Sequence, residues 1–189
     1  MKKLFLFIIA AMMLSVSTMS QSFNGVQISG DINSFISSMK SKGYVFHKWM
    51  NGGGAIMKGQ IGGNNVEVYV SVTPKTKVVW KVSVYFSEVS TWGDMKTDYF
   101  KFKQLITDKY GAPGSEYEYF SSPYYEGDGY EMTALSVGKA VYSSFWFDQA
   151  KLNIEVSATK FSQLRITYEN AANVELFDKE KKQLESSVL

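Results

Sequence analysis

The sequence has no cysteine, one histidine (His47), one arginine (Arg165) and three prolines in 189 residues. Without cysteine there is no disulfide to hold the fold and no thiolate for zinc or for nucleophilic catalysis. A Ser-His-Asp or Cys-His centre would have to use His47, which lies beside Lys48 and Trp49 on an expected strand, and no serine sits in a G-x-S-x-G turn. With neither cysteine nor a second histidine, a zinc site has too few nitrogen and sulfur ligands. The single arginine and scattered lysines lack the forked donors that usually grip phosphate, which argues against nucleic acid as a partner. Long apolar runs are also missing. The longest, 4–14, falls short of the roughly 20 residues a membrane-spanning helix needs.

That apolar run follows Lys2 and Lys3 and precedes the small residues Ser15, Ser17, Thr18 and Ser20. A positive start, an apolar centre and small residues before a cut read as a secretory signal peptide over 1–20, with cleavage expected after Ser20. The next residue is Gln21, so the cysteine needed for a lipoprotein anchor is absent. The formal charge of +2 comes from the two lysines of this segment, so the remainder is neutral. Its charge therefore gives no reason to expect a nucleic acid or an acidic membrane surface as target. We expect an exported protein, periplasmic or extracellular, with no membrane association once the signal is removed. A core must stabilise it unaided, and a chain of this size can bury close to 70% of its unfolded surface.

After a strand-like lead at 23–28, GDINSFISSMKSKG reads as a helix. Asp31 caps it, Ile32, Phe35, Ile36 and Met39 share a face, and Gly43 ends it. Strands are expected at 44–50, 55–61, 66–73 and 78–86, joined by turn sequences at Asn51, Gly62 and Pro74. The second half follows the same order. Thr91 and Asp94 form a capping box, Trp92, Met95, Tyr99, Phe102 and Ile106 form a stripe, and Gly111 with Pro113 closes the helix. Strands are expected at 116–121, 131–136, 140–148, 151–158 and 164–168. Both helices open on Gly-Asp, and VEVYVSVTPKTKVVWKVSVYF resembles KLNIEVSATKFSQLRITYE. The expected fold is α+β: two tandem helix-plus-antiparallel-strand repeats, 21–89 and 90–170, forming one curved sheet with helices on one face. The segment 171–189 reads as a terminal helix, with Glu175 and Asp178 four residues before Lys179 and Lys182 and an apolar edge of Leu176, Phe177, Leu184 and Val188.

Alternation then sorts the strands into faces. The core face should take Val66, Val68, Val70 and Val72, then Val78, Trp80, Val82, Val84 and Phe86, then Leu152, Ile154 and Val156, then Leu164, Ile166 and Tyr168. The other face takes Glu67, Tyr69, Val79, Lys81, Ser83, Tyr85, Glu155, Arg165 and Thr167. For VYSSFWF, directing the more apolar set of Val141, Phe145 and Phe147 inward leaves Tyr142 and Trp146 on the open face. An antiparallel sheet covered on one side can leave the other in water, and twist would make that side concave. The candidate partner-binding residues are accordingly Tyr69, Lys81, Tyr85, Tyr142 and Trp146, with Tyr124 and Tyr125 in the loop SSPYYEGDGYE. The plainer alternative is that these rings are cross-strand fillers on a wet sheet.

Glu116, Glu118, Glu126, Asp128 and Glu131 cluster in sequence, but glycoside hydrolysis needs two carboxyls across a cleft. Glu116 and Glu118 share one strand, and a single exposed edge makes no cleft. The loop lacks the full calcium-binding pattern, and the glycine runs lie between strands, where no helix N-terminus can hold a phosphate. No cofactor or metal is expected.

The absence of a lipobox, the phrase KGYVF, the run TPKTKVVWKVSVYF and the later LITDKYGAP together resemble small exported Bacteroidetes proteins of no established activity. The doubled helix-plus-four-strand plan resembles the beta-lactamase-inhibitor-like fold. That resemblance implies one curved sheet whose concave face can grip another protein; the chain departs from the inhibitors in having no cysteine, and no functional residue is carried over. The function expected is non-enzymatic binding of an extracytoplasmic protein through the open sheet face. The competing class is a carbohydrate- or peptide-handling protein using the acidic 116–131 cluster, and a structural envelope component is a third. Self-association is left open.

Overall fold

A computed structural model describes residues 21–147 and 152–187. The expected signal peptide, the expected strand ends Asp148 and Lys151, and Val188 lie outside them. A two-stranded hairpin, β1 (Ser22–Phe23) and β2 (Val26–Gln27), leads into α1 (Ile32–Ser41) and the strands β3 (Val45–Trp49), β4 (Ala55–Ile61), β5 (Asn64–Val72) and β6 (Val79–Phe86). The second unit is α2 (Trp92–Tyr110), β7 (Ser115–Phe120), α3 (Glu131–Ser136), β8 (Ala140–Phe147), β9 (Leu152–Ala158) and β10 (Leu164–Asn170), and α4 (Ala171–Ser186) follows. All eight long strands form one antiparallel sheet in the order β3-β4-β5-β6-β10-β9-β8-β7. Each unit starts at an outer edge and works inward. Helix α2 carries the chain from the centre, where β6 ends, to the far edge, where β7 begins.

Both main helices begin where short polar side chains satisfy free amides. Asp31 accepts from the amides of Asn33 and Ser34, whereas Thr91 accepts from the Asp94 amide and donates to its carboxylate. Their apolar stripes then meet one face of the sheet. Ile32, Phe35, Ile36 and Met39 of α1 and Tyr99, Phe102 and Ile106 of α2 pack in one core with Val66, Val68 and Val70, Val82 and Val84, Ile154 and Val156, and Leu164 and Ile166. Each such aliphatic side chain contributes about 1.5–3 kcal/mol by leaving water, so a continuous core replaces the missing disulfides. A smaller cluster joins Met95 of α2 to Ala134 and Leu135 of α3 and to Ala140.

Two stretches, 131–136 and 78–80, differ from expectation. The segment 131–136 is a helix, since EMTALS has good helix formers and Glu131 and Asp128 accept from amides at the loop-to-helix junction. Val78 and Trp80 do not join the core row. A bulge in β6 pairs Ser71 with Lys81 but Val72 with Val79, so Val79, expected on the other face, takes the place in the core and Trp80, also buried, is the extra residue. Trp80 turns toward α4, where its ring stacks on Phe177 with centroids 4.5 Å apart.

The terminal helix is therefore docked, and charge takes part in holding it. Glu180 is buried and accepts from the amides of Lys75 and Thr76, at 2.6 and 3.1 Å, and from the Thr76 hydroxyl. Burial raises the pKa of its carboxyl, but these hydrogen bonds outweigh burial and hold it below the ordinary carboxylate range. Asn173 adds bonds to the carbonyls of Ile28 and Val79.

Two tests follow from this packing. Because the folded pKa of Glu180 is lowered, its contribution is complete above the unfolded value of about 4.3 and is lost as pH falls through the folded value. The protection of the α4 amides, taken relative to the intrinsic exchange rate at each pH, should fall on acidification through that range in the parent chain. Glu180→Gln should exchange fast already at neutral pH, and equal protection in both would refute the docking role. At Gly59 in β4, an added Cβ would come within 2.3 Å of the buried Tyr44 ring. Gly59→Ala should cost about 1–3 kcal/mol in urea unfolding, with little change in m.

Candidate functional site: the open face of the sheet

Alternation places a second row of side chains on the face away from α1 and α2. Its centre is polar and already paired. Lys81 meets Glu169 across β6 and β10 at 3.7 Å, Arg165 meets Glu155 at 2.5 Å, and Lys58 meets Glu67 at 3.3 Å. Ser83 and Thr167 share a 3.3 Å hydrogen bond between these pairs. Half-exposed ion pairs contribute about 0–1 kcal/mol each, so their main effect is to fix side-chain directions. Burial lowers the pKa of Arg165, but the Glu155 carboxylate and the Tyr85 hydroxyl beside it more than offset this.

The expected residues Tyr69, Lys81 and Tyr85 all lie on this face, half-buried. The two tyrosine rings meet edge to face at 5.0 Å, and the Tyr69 hydroxyl donates to Glu67 at 3.2 Å. Burial, then the Glu67 carboxylate, raises the pKa of Tyr69, which keeps it a neutral donor.

The placement of Tyr142 and Trp146 on this face is reversed. They are 4% and 3% exposed and lie in the core beneath α2. The reason lies in their polar tips. Trp146 Nε1 donates to the carbonyl of Gly111, at the end of α2, at 2.8 Å. Tyr142 points its hydroxyl toward Glu126, 3.5 Å away, while the rings of Trp92 and Tyr99 meet it edge-on at 4.8 and 5.5 Å. Between them Ser144 bonds the Tyr99 hydroxyl at 2.6 Å. Burial and the neighbouring carboxylates push the pKa of Tyr142 up to about 12.

Phe145 and Phe147 consequently face outward, stacked with centroids 6.3 Å apart, and Tyr117 of β7 meets Phe145 at 6.1 Å. Phe147, Tyr117 and Tyr119 are 64%, 50% and 48% exposed. This aromatic patch was not among the expected site residues. Its signal was the alternation in SEYEYF, which places both tyrosines on one side and both glutamates on the other.

The acidic cluster does not converge on one point. Glu116 and Glu118 share the helix side of β7 and both bind Lys103, at 2.7 and 2.6 Å. Glu126 pairs with Lys96, which is the leading reason its pKa is lowered. Asp128 accepts from the amides of Tyr125 and Tyr130, and Glu131 from that of Gly127. Among the described residues no group of three or more His, Cys, Asp or Glu is placed to hold a metal. In the same loop Tyr124 is half-buried against the Met95 cluster, whereas Tyr125 projects into solvent.

On the first unit, an open cleft of about 670 Å³ borders this face, lined by Lys58, Gln60, Asn65, Glu67, Tyr85 and Gln163 among others. His47 lies outside it, exposed on β3.

No family model matches the chain, and neither the curated proteins nor the solved structures give a match.

The reversal of β8 is measurable. Trp146→Ala or Tyr142→Ala should lower stability by about 3–5 kcal/mol. Tyr117→Ser or Phe147→Ser should stay within roughly 0.5–1 kcal/mol. Similar losses for the two pairs in denaturant titrations would overturn the face assignment.

Proposed function

We propose that the chain is an exported, non-enzymatic protein that recognises a partner protein through the open face of its sheet. In this reading the two successive helix-plus-four-strand units are tandem repeats in the manner of the beta-lactamase-inhibitor-like fold, and residues 1–20 direct export. The observation that carries it is the joining of an aromatic patch, the exposed Tyr117, Tyr119 and Phe147 about the half-buried Phe145, to a centre whose charges are already paired. Tyrosine and phenylalanine bury large areas with few torsions to freeze, and pre-paired charges need little rearrangement on docking. The surface is broad and its carboxylates are engaged by lysine, arginine or backbone amides, which favours recognition over acid–base chemistry.

A carbohydrate- or peptide-handling role has one observation in its favour. The cleft, lined mainly by the first unit, presents the amides of Gln60, Asn65 and, from the second unit, Gln163 beside Tyr85, groups suited to a neutral polar ligand.

The deciding experiment uses residues 21–189 as bait against the source organism's envelope and medium, beside a Tyr117→Ser/Phe147→Ser variant with unchanged thermal midpoint. A saturable protein partner should bind the parent at least tenfold more tightly than the variant. Equal capture would remove the patch from recognition, and a glycan captured equally by both would favour the cleft.

A further inference from the structure

We infer that the outer edge of β7 is a strand-addition site, taking an extended segment of a partner protein in which basic residues alternate with apolar ones. This rests on the reading of the chain as a protein-recognition module and names how the partner engages it.

The backbone provides the first part of the argument. β7 ends the sheet, and its residues 116–119 are all exposed. The Ser121 amide donates to the Lys139 carbonyl at 2.6 Å, and in an antiparallel pair hydrogen-bonded positions alternate. Counting back from Ser121, the odd residues bond β8, so Glu116, Glu118 and Phe120 turn their N–H and C=O groups outward. Among the described residues no strand pairs with that edge.

The two edges of the sheet are treated differently. β3 is broken by a bulge between Phe46 and Lys48 and carries Lys48 and the exposed His47, devices that discourage an added strand. β7 keeps regular register with β8 from Ser115 to Phe120, and its sequence SEYEYF has neither lysine nor proline. A straight edge whose only charges are glutamates remains a pairing template for a strand of opposite charge.

The side chains then specify what fits. On the open side an incoming strand meets Tyr117 and Tyr119, which favour apolar or aromatic neighbours. On the helix side it meets Glu116 and Glu118, two carboxylates sharing the single ammonium of Lys103. The remaining negative charge favours lysine or arginine opposite them. The same charges disfavour a second copy of this chain. Antiparallel self-pairing centred on Tyr117 sets Glu116 against Glu118 of the other copy, and centring on Glu118 sets that residue against itself.

The test uses a capped peptide, Val-Lys-Tyr-Lys-Val-Lys-Thr, titrated into residues 21–189 with backbone amides followed by NMR. Binding should protect the amides of Glu116 and Glu118 and leave those of β3 unchanged. Of two peptides N-methylated at alternate amides, one should lose at least tenfold in affinity and the other should not, because only one set of N–H groups faces β7. Glu116→Lys should weaken the parent peptide at least tenfold with the thermal midpoint preserved, and replacing the peptide's lysines by glutamates should abolish binding. The inference is overturned by no saturable binding up to about millimolar peptide. Equal loss or retention in both N-methyl frames, or self-association through the β7 amides, would overturn it as well. If the peptide fails while the Tyr117→Ser/Phe147→Ser bait still loses its partner, strand addition falls and recognition by the open face stands.

Discussion

The seam between β6 and β10 is the contact on which the rest of the structure depends. Five residue pairs, from Tyr85 with Arg165 to Lys81 with Glu169, turn two four-stranded meanders into one sheet. Val82 and Val84 of one unit thereby join Ile166 of the other beneath both helices, so the core crosses the seam without a break. The opposite side of the same ladder brings Lys81 to Glu169, Ser83 to Thr167 and Tyr85 to Arg165. The polar centre of the candidate surface is thus a by-product of how the halves join, and neither unit presents it alone.

Moving outward from the seam, the open face changes character. Near the centre nearly every charge has a partner, and toward β7 the side chains become aromatic and exposed. Pre-paired charges cost little to leave in place but contribute little new attraction, whereas exposed rings gain by being covered. Under the proposed reading, a partner would derive most of its affinity from the second unit and its alignment from the seam. The two edges differ in the same direction, β3 bulged and cationic, β7 straight and anionic.

Much of the fold was legible because its causes are local. The caps at Asp31 and Thr91, the stripes of α1 and α2, and the valine alternation of β5 are visible within a few residues, and the structure realises each. Tyr69, Lys81 and Tyr85 were placed on the correct face for the same reason. Apart from 131–136, whose helix has local causes in its own helix formers and in Asp128 and Glu131, the differences involve distant partners. β8 offered two comparably apolar rows, and the choice was made by the Gly111 carbonyl, Tyr99 and Glu126, none of which adjoins it in sequence. Trp80 left its row because a bulge opposite Ser71 shifted the register toward Phe177. Glu180 is assigned no role from the sequence, since its partners Lys75 and Thr76 lie 105 and 104 residues away in the β5–β6 turn. Alternation gives the period of a strand, but its phase can depend on what covers it.

The central position of β6 also has a consequence for the newborn chain. Synthesis delivers β3 to β6 first, and these can zip together through short hairpins. β10 arrives much later, since Ser83 and its seam partner Thr167 are 84 residues apart. Throughout that interval VWKVSVYF, rich in β-branched and aromatic residues, is an uncapped edge with the composition of an aggregation-prone segment. Lys81 is the one charge within it, and it acts as a gatekeeper until Glu169 reaches it. The interior strand of the finished sheet is the exposed edge of its half-made precursor, and the chain's tolerance of mutation there is set by that waiting time as well as by the native core.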